Sequence, residues 1–449
     1  MMKIQDFNNK KVMVFGWARS GKAAAQRLLE LGAQVTVVNG GEFEDDMVYR
    51  QLLAAGVQFI NHDDAVSLNT SFDYLIKNPG ISYETALVKQ AKKLKIPILT
   101  EVAVALSSFE GRLIAVTGSN GKTTTTSLIR DMLKSDGQKV TTAGNIGIPV
   151  CEVIKNLTAD DTLLLELSSF QLMGTPDIRP DIALITNIFA NHLDYHGTRE
   201  NYVAAKFQLT KNQTSNQLLV LNADGQDTDE FIKKTHAKVV AFSRIKNDYT
   251  VRTDNVDLII SDNHLMPLSD IKLVGPHNLE NIVAAVTVAK LAGVHDTAIR
   301  HVLETFGGVE HRLQHVLTDN GVVFYNDSKA TDIEATQTAL NSFHQPTIWL
   351  AGGLDRGDDL MRLLPNLSHV KAVIAFGETQ QKIVAVARAA NKPVITVDDV
   401  EQGVPVAVKL AVTGDVVLLS PAAASWDQYK SFEERGERYV TELKKVLGL

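Results

Sequence analysis

The sequence contains a single cysteine, Cys151, among its 449 residues. One cysteine cannot form a disulfide within the chain, and it cannot supply the several thiolates of a structural zinc site. Functions that depend on cysteine pairs or clusters are therefore excluded. We expect Cys151 to be a buried apolar residue.

The chain also lacks long apolar runs, repeats and an excess of positive charge. No stretch reaches the roughly 18 uninterrupted apolar residues of a membrane span. Residues 1–11 are polar where a signal peptide needs an apolar core. Acidic residues outnumber lysine and arginine by 52 to 45, and the resulting net charge of −7 argues against a nucleic-acid partner. We therefore expect a cytoplasmic protein that binds neither membranes nor nucleic acid.

The sequence is long and rich in apolar residues. It is about three times as long as one typical domain, and 45% of its residues are hydrophobic, which is ample for several cores. Strand-like runs alternate with helical patterns, which predicts the α/β class. We predict a Rossmann-like domain over 1–100, a central phosphate-loop domain over 101–308 and a Rossmann-like α/β domain over 309–449.

The most informative stretch is AVTGSNGKTT, residues 115–124, which lies between an apolar strand-like run and a helical pattern. Backbone N–H groups at such a helix start can face a phosphate, Lys122 can reach its outer oxygens, and the Thr123 hydroxyl can ligate magnesium. The usual pattern has glycine where this chain has Val116, and the loop glycine is instead Gly118. The stretch still predicts a phosphate cradle.

The first domain begins with a β-α-β unit over residues 11–38. A dinucleotide fingerprint requires glycine at position 18 and an acidic residue after the second strand, and the chain has Ala18 and Asn39 there. NAD is therefore disfavoured. A nucleotide diphosphate bound at the turn that contains Ser20 remains open, as does a purely structural turn.

Polar residues in the second domain suggest a metal site. Glu166 interrupts an apolar strand, where a carboxylate is costly unless it is paired or holds a metal. His192, Asp194 and His196 follow the next predicted strand, and for them ligand and surface roles are about equally supported. Spacing alone predicts that Lys206, on the following helix, is exposed.

The third domain carries polar clusters after three of its predicted strands, at residues 326–331, 352–356 and 420–425. Strand ends of a doubly wound sheet meet at one edge, so these clusters predict a ligand crevice. Glu310, His311 and Arg312 precede them, positioned to turn toward a nucleotide.

These motifs, in this order, resemble the Mur ligases, ATP-dependent enzymes that form amide bonds in peptidoglycan synthesis. The resemblance covers essentially the whole chain and rests on the shortened phosphate loop and on residues 187–192, 275–278, 310–312 and 326–331. Residues 16–21, 78–81 and 419–429 are similar to the member that joins D-glutamate to UDP-N-acetylmuramoyl-L-alanine. The Asp-Asn-Pro-Arg loop of diaminopimelate-adding members is not present.

The resemblance implies two magnesium ions. Lys122 and Thr123 would hold the ATP phosphates and one ion, with Glu166 as a further ligand. His192 would bind the other ion together with Lys206, which matches a lysine that the family carbamylates. A carbamate oxygen can ligate a cation, whereas an ammonium cannot.

The resemblance also implies the substrate contacts and a monomer. Catalytic roles would fall to Lys122, His192, Lys206 and Lys329. ATP would be bound by the phosphate loop and by more distant side chains: Gly118, Asn120, Gly121, Lys122, Thr123, Thr124, Asn278, Asn281, His311, Arg312 and Asp327. The UDP-linked substrate would contact Ser20, Asn39, Asn78, Gly80, Asn145 and Ser169. D-Glutamate would contact Thr331, Arg356, Ser425 and Phe432.

Three alternatives remain at this point. One is another ligase of the superfamily, including folylpolyglutamate synthase, with a different amino acid as substrate. Another is a phosphate-loop ATPase or switch that hydrolyses ATP without an acceptor. The third is a Rossmann dehydrogenase, which Ala18 and Asn39 disfavour.

Overall fold

The computed structural model describes residues 6–61, 68–189, 193–244, 249–254 and 256–449. The chain forms two compact units. The first contains residues 1–268 and 280–302, and the second contains residues 269–279 and 303–449. Both units are α/β, with mainly parallel sheets.

The first unit begins with a five-stranded parallel sheet in the order β3-β2-β1-β4-β5. Its strands are β1 (Lys11–Phe15), β2 (Gln34–Val38), β3 (Gln58–Ile60), β4 (Tyr74–Lys77) and β5 (Ile98–Leu99). Its helices are α1 (Arg19–Glu30), α2 (Met47–Ala54), α3 (Ala86–Leu94) and α4 (Glu101–Leu106). The strands are rich in valine, isoleucine and leucine, which suits strands buried on both faces.

A second parallel sheet of the first unit has six strands in the order β11-β10-β9-β6-β8-β7. They are β6 (Arg112–Thr117), β7 (Val140–Gly144), β8 (Thr162–Glu166), β9 (Ile182–Ile185), β10 (Leu218–Asn222) and β11 (Lys238–Phe242). The helices are α5 (Lys122–Ser135), α6 (Val150–Val153), α7 (Ser169–Met173), α8 (Leu193–His196), α9 (Arg199–Phe207) and α10 (Thr228–Lys234). Strand β6, which leads into the phosphate loop, pairs with β8 and β9 and so lies inside the sheet.

One apolar core connects these two sheets. Helix α4 packs against α1 and α6, and its Val102, Val104 and Ala105 are buried in a cluster that includes residues of both sheets. The expected burial of Cys151 is confirmed, with 4% of its surface exposed. The boundary near residue 100 lies within this unit and stays a prediction.

The first unit also contains a small antiparallel sheet of β12 (Val251–Thr253), β13 (Asp257–Ile260) and β14 (Asn263–Pro267). Helices α11 (Pro276–Leu291) and α12 (Asp296–Thr305) follow. None of the helices in the described ranges has both the length and the apolar character needed to cross a bilayer.

The second unit has a six-stranded sheet in the order β15-β16-β20-β17-β18-β19. Its strands are β15 (Gln314–Asp319), β16 (Val322–Asn326), β17 (Thr347–Gly352), β18 (Val370–Phe376), β19 (Val394–Thr396) and β20 (Val416–Leu419). Strand β15 is antiparallel to β16, and the other pairs are parallel. The helices are α13 (Ile333–Leu340), α14 (Gln380–Ala389), α15 (Val400–Leu410) and α16 (Phe432–Leu447).

Candidate active site

The phosphate loop between β6 and α5 depends on two glycines. Gly118 has φ +152°, and a Cβ atom there would lie 1.9 Å from Thr186 Oγ1. Gly121 has φ +78°, and a Cβ atom there would lie 2.0 Å from Asn281 Oδ1. Both positions combine a backbone conformation that favours glycine with a lack of space for any side chain. Asn281 is thereby placed directly beside the loop.

The end of strand β9 holds the loop in place. Asn120 N–H donates to Asn187 Oδ1 at 2.9 Å, and the Thr186 hydroxyl donates to Asn120 O at 2.7 Å. Asn187 in turn donates to Glu280 Oε1 at 3.3 Å. These hydrogen bonds hold the loop in a conformation that suits an anion cradle at a helix N-terminus.

Two lysines converge on one carbonyl of this loop. Lys122 Nζ donates to Gly118 O at 2.9 Å and to Ser119 O at 2.8 Å. Lys206 Nζ donates to the same Gly118 O at 2.7 Å. Thr123 and Thr124 follow Lys122 in the first turn of α5 and are half-buried. The structure thus brings Lys122, Thr123 and Thr124, predicted to bind ATP, close to Lys206, which the resemblance assigned to a magnesium ion.

Lys206 is buried, with 1% of its surface exposed, so the prediction of an exposed lysine from spacing alone is wrong. Its Nζ lies 4.6 Å from the centre of the Tyr202 ring. Burial, and secondarily the charge of Lys122, lower the pKa of the Lys206 amine well below its ordinary value. A buried lysine near another cation favours the neutral, nucleophilic amine.

Glu166 is the last residue of β8 and is 1% exposed. Its Oε1 accepts a hydrogen bond from Asn145 Nδ2 at 2.7 Å. Its Oε2 is buried and has no hydrogen-bond partner among the described residues. A buried carboxylate oxygen without a donor is costly, and a hard cation such as Mg²⁺ would satisfy it. His192, the other predicted ligand, lies outside the described residues.

A cavity of about 530 Å³ lies within the first unit, and Asn145, the hydrogen-bond partner of Glu166, is one of its lining residues. Four of the residues predicted to contact the UDP-linked substrate line it: Ser20, Asn78, Gly80 and Asn145. The structure therefore brings together strand-end loops of the first two sheets around one space, large enough for part of a nucleotide sugar.

Two of the predicted contacts of the UDP-linked substrate lie outside the lining of this cavity. Asn39 Nδ2 donates to Gly41 O at 2.9 Å and so closes its own turn. The Ser169 hydroxyl is buried and hydrogen-bonds His196 Nε2 at 2.9 Å. Their roles in substrate binding stay predictions.

Lys77, a residue that the sequence analysis did not select, holds one wall of the cavity. It is fully buried. Its Nζ donates to Asn78 O at 3.1 Å, Pro79 O at 2.9 Å and Ile81 O at 2.7 Å, and contacts Tyr195 Oη at 3.2 Å. A lysine in the last position of a strand carries no local signal for this role, since only the folded loop creates the carbonyl cage.

The pH dependence of unfolding tests this cage. Burial lowers the pKa of Lys77 to about 8, against 10.5 ordinarily. Between these values the unfolded chain binds more protons than the folded chain, so the contribution of Lys77 to stability rises with pH, by up to about 3 kcal/mol. We expect wild type to gain stability relative to Lys77→Met between pH 8 and pH 10.5, measured as the difference in urea midpoints.

The groups that face Lys77 do not confuse this measurement. Burial raises the pKa of Tyr83 and of Tyr195 to about 12, so both stay protonated in the folded chain over this range. Their titration at about pH 10 in the unfolded chain is common to wild type and Lys77→Met and cancels in the difference. Lys93→Met, on the exposed side of α3, is the matched control and should show no pH-dependent difference. A constant difference between wild type and Lys77→Met across this range would contradict the buried titration.

In the second unit the three polar clusters meet at one edge of the sheet, as predicted. Asp327 Oδ1 accepts from Leu313 N–H at 2.9 Å, and its Oδ2 accepts from the Ser420 hydroxyl at 2.8 Å. Burial raises the pKa of Asp327 to about 7. Leu354 N–H donates to Ala424 O at 2.8 Å and so connects the cluster at 352–356 to the cluster at 420–425.

The residues predicted for the amino acid and for phosphate transfer surround this edge. Lys329 Nζ lies 4.9 Å from the centre of the Phe432 ring, and the guanidinium of Arg356 lies 4.8 Å from the Trp426 ring. The Ser425 hydroxyl is buried and has no hydrogen-bond partner among the described residues. Such a hydroxyl is suited to a polar ligand. Thr331 lies in the same cluster as Lys329, with its N–H donating to Lys329 O.

Hydrogen bonds hold two of the side chains of this unit that are predicted to contact the nucleotide, His311 and Asn278. His311 has φ +62° and its Nδ1 is hydrogen-bonded to Asn326 Nδ2 at 3.0 Å. Gly436 of α16 leaves room for this ring, since a Cβ atom there would lie 2.2 Å from His311 Nδ1. Asn278 Nδ2 donates to Val274 O at 2.7 Å. Arg312 precedes β15 and is exposed.

Comparisons with known proteins agree with this geometry. Residues 116–289 match the family described as Mur ligase middle domain, and residues 311–423 match the Mur ligase, glutamate ligase domain. The UDP-N-acetylmuramoylalanine–D-glutamate ligase of Leuconostoc citreum (strain KM20) is 73% identical over 449 residues, which is 100% of both chains.

Two solved structures show the same fold at low identity. UDP-N-acetylmuramate-alanine ligase MurC from Thermotoga maritima has a TM-score of 0.59 at 18% identity, covering 97% of this chain and 99% of the other. MurF ligase from Thermotoga maritima, solved in complex with ADP, has a TM-score of 0.57 at 19% identity, covering 100% and 97%. The phosphate loop, the sheet order and the full-length identity together show that the chain belongs to the Mur ligase family.

Proposed function

We propose that this chain joins D-glutamate to UDP-N-acetylmuramoyl-L-alanine at the expense of ATP, in the synthesis of peptidoglycan precursors. The observation that carries the proposal is 73% identity over the whole chain to a UDP-N-acetylmuramoylalanine–D-glutamate ligase. The phosphate loop with its two converging lysines and the cavity lined by Ser20, Asn78 and Asn145 are consistent with this chemistry.

The proposed organisation has three domains. Residues 1–100 would bind the UDP-linked substrate, residues 101–308 would bind ATP, and residues 309–449 would bind the amino acid and part of the nucleotide. The proposed enzyme acts as a monomer in the cytoplasm, where ATP and nucleotide-linked sugars are made.

The reaction needs an activated acid because an amine cannot expel oxide from a carboxylate. In the proposed route the γ-phosphoryl group of ATP is transferred to the carboxylate of the nucleotide-linked alanine, with release of ADP. The amine of D-glutamate then attacks the carbonyl carbon, the C–N bond forms, and phosphate leaves with the C–O bond electrons. An acyl phosphate hydrolyses readily, so the site must exclude water and position both partners.

In this proposal the phosphate loop and its lysines stabilise the charge of the phosphates. The N–H groups of Gly121 to Thr124 and the amine of Lys122 would contact phosphate oxygens. Lys329 would contact the phosphoryl group in transfer. Asn278, Asn281, His311, Arg312 and Asp327 would surround the rest of the nucleotide.

The donor set fits two magnesium ions. Thr123 and Glu166 would hold one, and His192 with a carbamylated Lys206 would hold the other. When bound, the ions would neutralise the charge that builds up on the phosphates. The lowered pKa of Lys206 supports the carbamate, because a neutral amine adds to carbon dioxide with loss of one proton. The buried, unpartnered Glu166 Oε2 supports the first site.

The remaining proposed contacts divide between the two carbon substrates. Ser20, Asn39, Asn78, Gly80, Asn145 and Ser169 would bind the UDP-linked substrate. Thr331, Arg356, Ser425 and Phe432 would bind D-glutamate. The buried and unpartnered Ser425 hydroxyl is the strongest support for the second set.

A phosphate-release assay with a panel of amino acids tests the proposed function. We expect release to require ATP, UDP-N-acetylmuramoyl-L-alanine and D-glutamate together. A preference for L-alanine or L-glutamate would refute the assignment in favour of another ligase of the superfamily. Release from ATP with no acceptor would favour an ATPase or switch, and tight NAD binding would revive a dehydrogenase.

Removing one charge from Glu166 tests the first metal site. We expect Glu166→Gln to lower kcat by about 10- to 100-fold and to raise the Mg²⁺ concentration needed for half-maximal activity, because an amide oxygen is a weaker ligand than a carboxylate. Titration of activity with Mg²⁺ at saturating ATP measures both effects. Asp160→Asn, on the exposed turn before β8, is the control and should behave as wild type. An unchanged Mg²⁺ requirement in Glu166→Gln would contradict the assignment.

A further inference from the structure

Arg435 is a fully buried arginine in the first turn of α16, and the sequence analysis did not select it. Its guanidinium makes four hydrogen bonds, all to neutral acceptors. Nε donates to Ser328 Oγ at 3.0 Å and Nη1 donates to Gly352 O at 3.2 Å. Nη2 donates to Ser328 O at 2.9 Å and to Ala423 O at 3.1 Å.

This cation has no carboxylate partner within ion-pair distance in the described part of the chain. Burial lowers the pKa of Arg435 to about 10, and the charge of Asp427 partly offsets this effect. An unpaired buried charge is expensive, and a well-packed apolar side chain would fill the same space at less cost. The position therefore needs what only a planar guanidinium supplies, several donors in a fixed fork.

The acceptors belong to three different strand ends. Ser328 follows β16, Gly352 ends β17 and Ala423 follows β20. Ser328 Oγ also donates to Phe432 O at 2.8 Å, so the same hydroxyl connects the start of α16 to the first loop. One side chain thus fixes all three polar clusters of the crevice.

The fit leaves little freedom around the guanidinium. At Gly353, which has φ +150°, a Cβ atom would lie 3.0 Å from Arg435 Nη1 and 2.2 Å from Ala424 O. The loops held in this way carry Thr331, Arg356 and Ser425, the proposed contacts of the amino acid. The relative positions of these three residues depend on Arg435, although the donors that hold the loops are not free to bind the amino acid themselves.

We propose that Arg435 is a positioning residue of the amino-acid site: its guanidinium holds the three strand-end loops in the arrangement that binds the acceptor. This inference rests on the proposed function. It concerns a side chain that acts through others, and it predicts that binding of the UDP-linked substrate is unaffected.

Kinetics of Arg435→Lys and Arg435→Met test the proposal. We expect the KM for D-glutamate to rise about 10- to 100-fold in Arg435→Met, because three carbonyl groups lose their donor. The KM for the UDP-linked substrate should stay within about twofold, and the KM for ATP should change less than the KM for D-glutamate. In Arg435→Lys the KM for D-glutamate should lie between the values of wild type and Arg435→Met, since lysine keeps the charge and lacks the planar fork of donors. Arg438→Met is the control, because Arg438 lies one turn later and its side chain is 58% exposed.

Chemical rescue separates positioning from general damage to the fold. Added methylguanidinium should restore the KM for D-glutamate in Arg435→Ala, whereas methylammonium at the same concentration should restore less. Equal increases in all three KM values, or rescue by neither cation in a variant that keeps the wild-type circular dichroism, would overturn the proposal.

Failure of the proposed function gives a different result. In that case wild type itself would release no phosphate in response to D-glutamate. An active wild type with an unchanged KM for D-glutamate in Arg435→Met and Arg435→Lys would refute only the role of Arg435.

Discussion

Lys206→Ala is expected to lower the rate of phosphate release by at least about 1,000-fold, the scale of removing a group that stabilises charge in the transition state. Two features of the structure support so large an effect. The amine lies deep in the unit, 1% exposed, with its proton donated to Gly118 O of the phosphate loop. Its lowered pKa favours the free amine that can react with carbon dioxide.

The proposed carbamate of Lys206 has two further measurable consequences. In wild type, labelled bicarbonate should give a carbamate signal in carbon NMR, and the signal should be missing from Lys206→Ala. A short carboxylic acid such as acetate should restore part of the activity of Lys206→Ala without bicarbonate, because its oxygens can replace those of the carbamate.

Lys211→Ala serves as the control, since Lys211 is an exposed lysine shortly after α9. It should retain full activity and the wild-type NMR signal. Full activity of Lys206→Ala would end the proposed role. Lost activity that acetate does not restore, together with an absent carbamate signal in wild type, would instead favour a role for the unmodified amine.

Lys206 also shows where sequence patterns stop being informative. A lysine in a helix is exposed in most proteins, and nothing within α9 marks this one as different. Its burial arises from contacts with Gly118, 88 positions earlier, and with Tyr202. Only the resemblance to a family, and not the local pattern, identified it in advance.

The sheets were predictable to different degrees. Apolar runs such as residues 11–15, 34–38 and 416–419 coincide with strands of the structure. These strands are buried on both faces, so almost all of their residues are apolar and the runs are easy to recognise in the sequence. The antiparallel strands β12 to β14 and the edge strand β15 were missed because they are short or half-exposed and mix polar with apolar residues.

The candidate site was also predictable only in part. Loops after parallel strands gather at one edge by topology, so the clusters at 326–331, 352–356 and 420–425 could be predicted to meet. The side chains that hold the loops could not. Lys77 and Arg435 bind backbone carbonyls, and carbonyl groups leave no trace in a sequence.

The phosphate loop itself gives the last large expected effect. Lys122→Met should lower kcat/KM for ATP by about 100- to 1,000-fold, because the lost amine is the cation that we propose contacts the phosphates at the start of α5. Steady-state kinetics with ATP as the varied substrate measure this change. Lys134→Met, exposed near the end of the same helix, is the matched control and should match wild type.

The geometry further predicts that the two lysines do not act independently. Lys122 and Lys206 donate to the same Gly118 O, and the charge of Lys122 helps to lower the pKa of Lys206. Lys122→Met therefore raises the pKa of Lys206, so less of the neutral amine is present and less carbamate can form. The double variant should then lose much less activity than the product of the two single losses, as for residues that act as a unit.

The NMR carbamate signal should weaken in Lys122→Met and return as the pH is raised. Multiplicative losses with an unchanged signal would show that the shared carbonyl does not couple the two side chains.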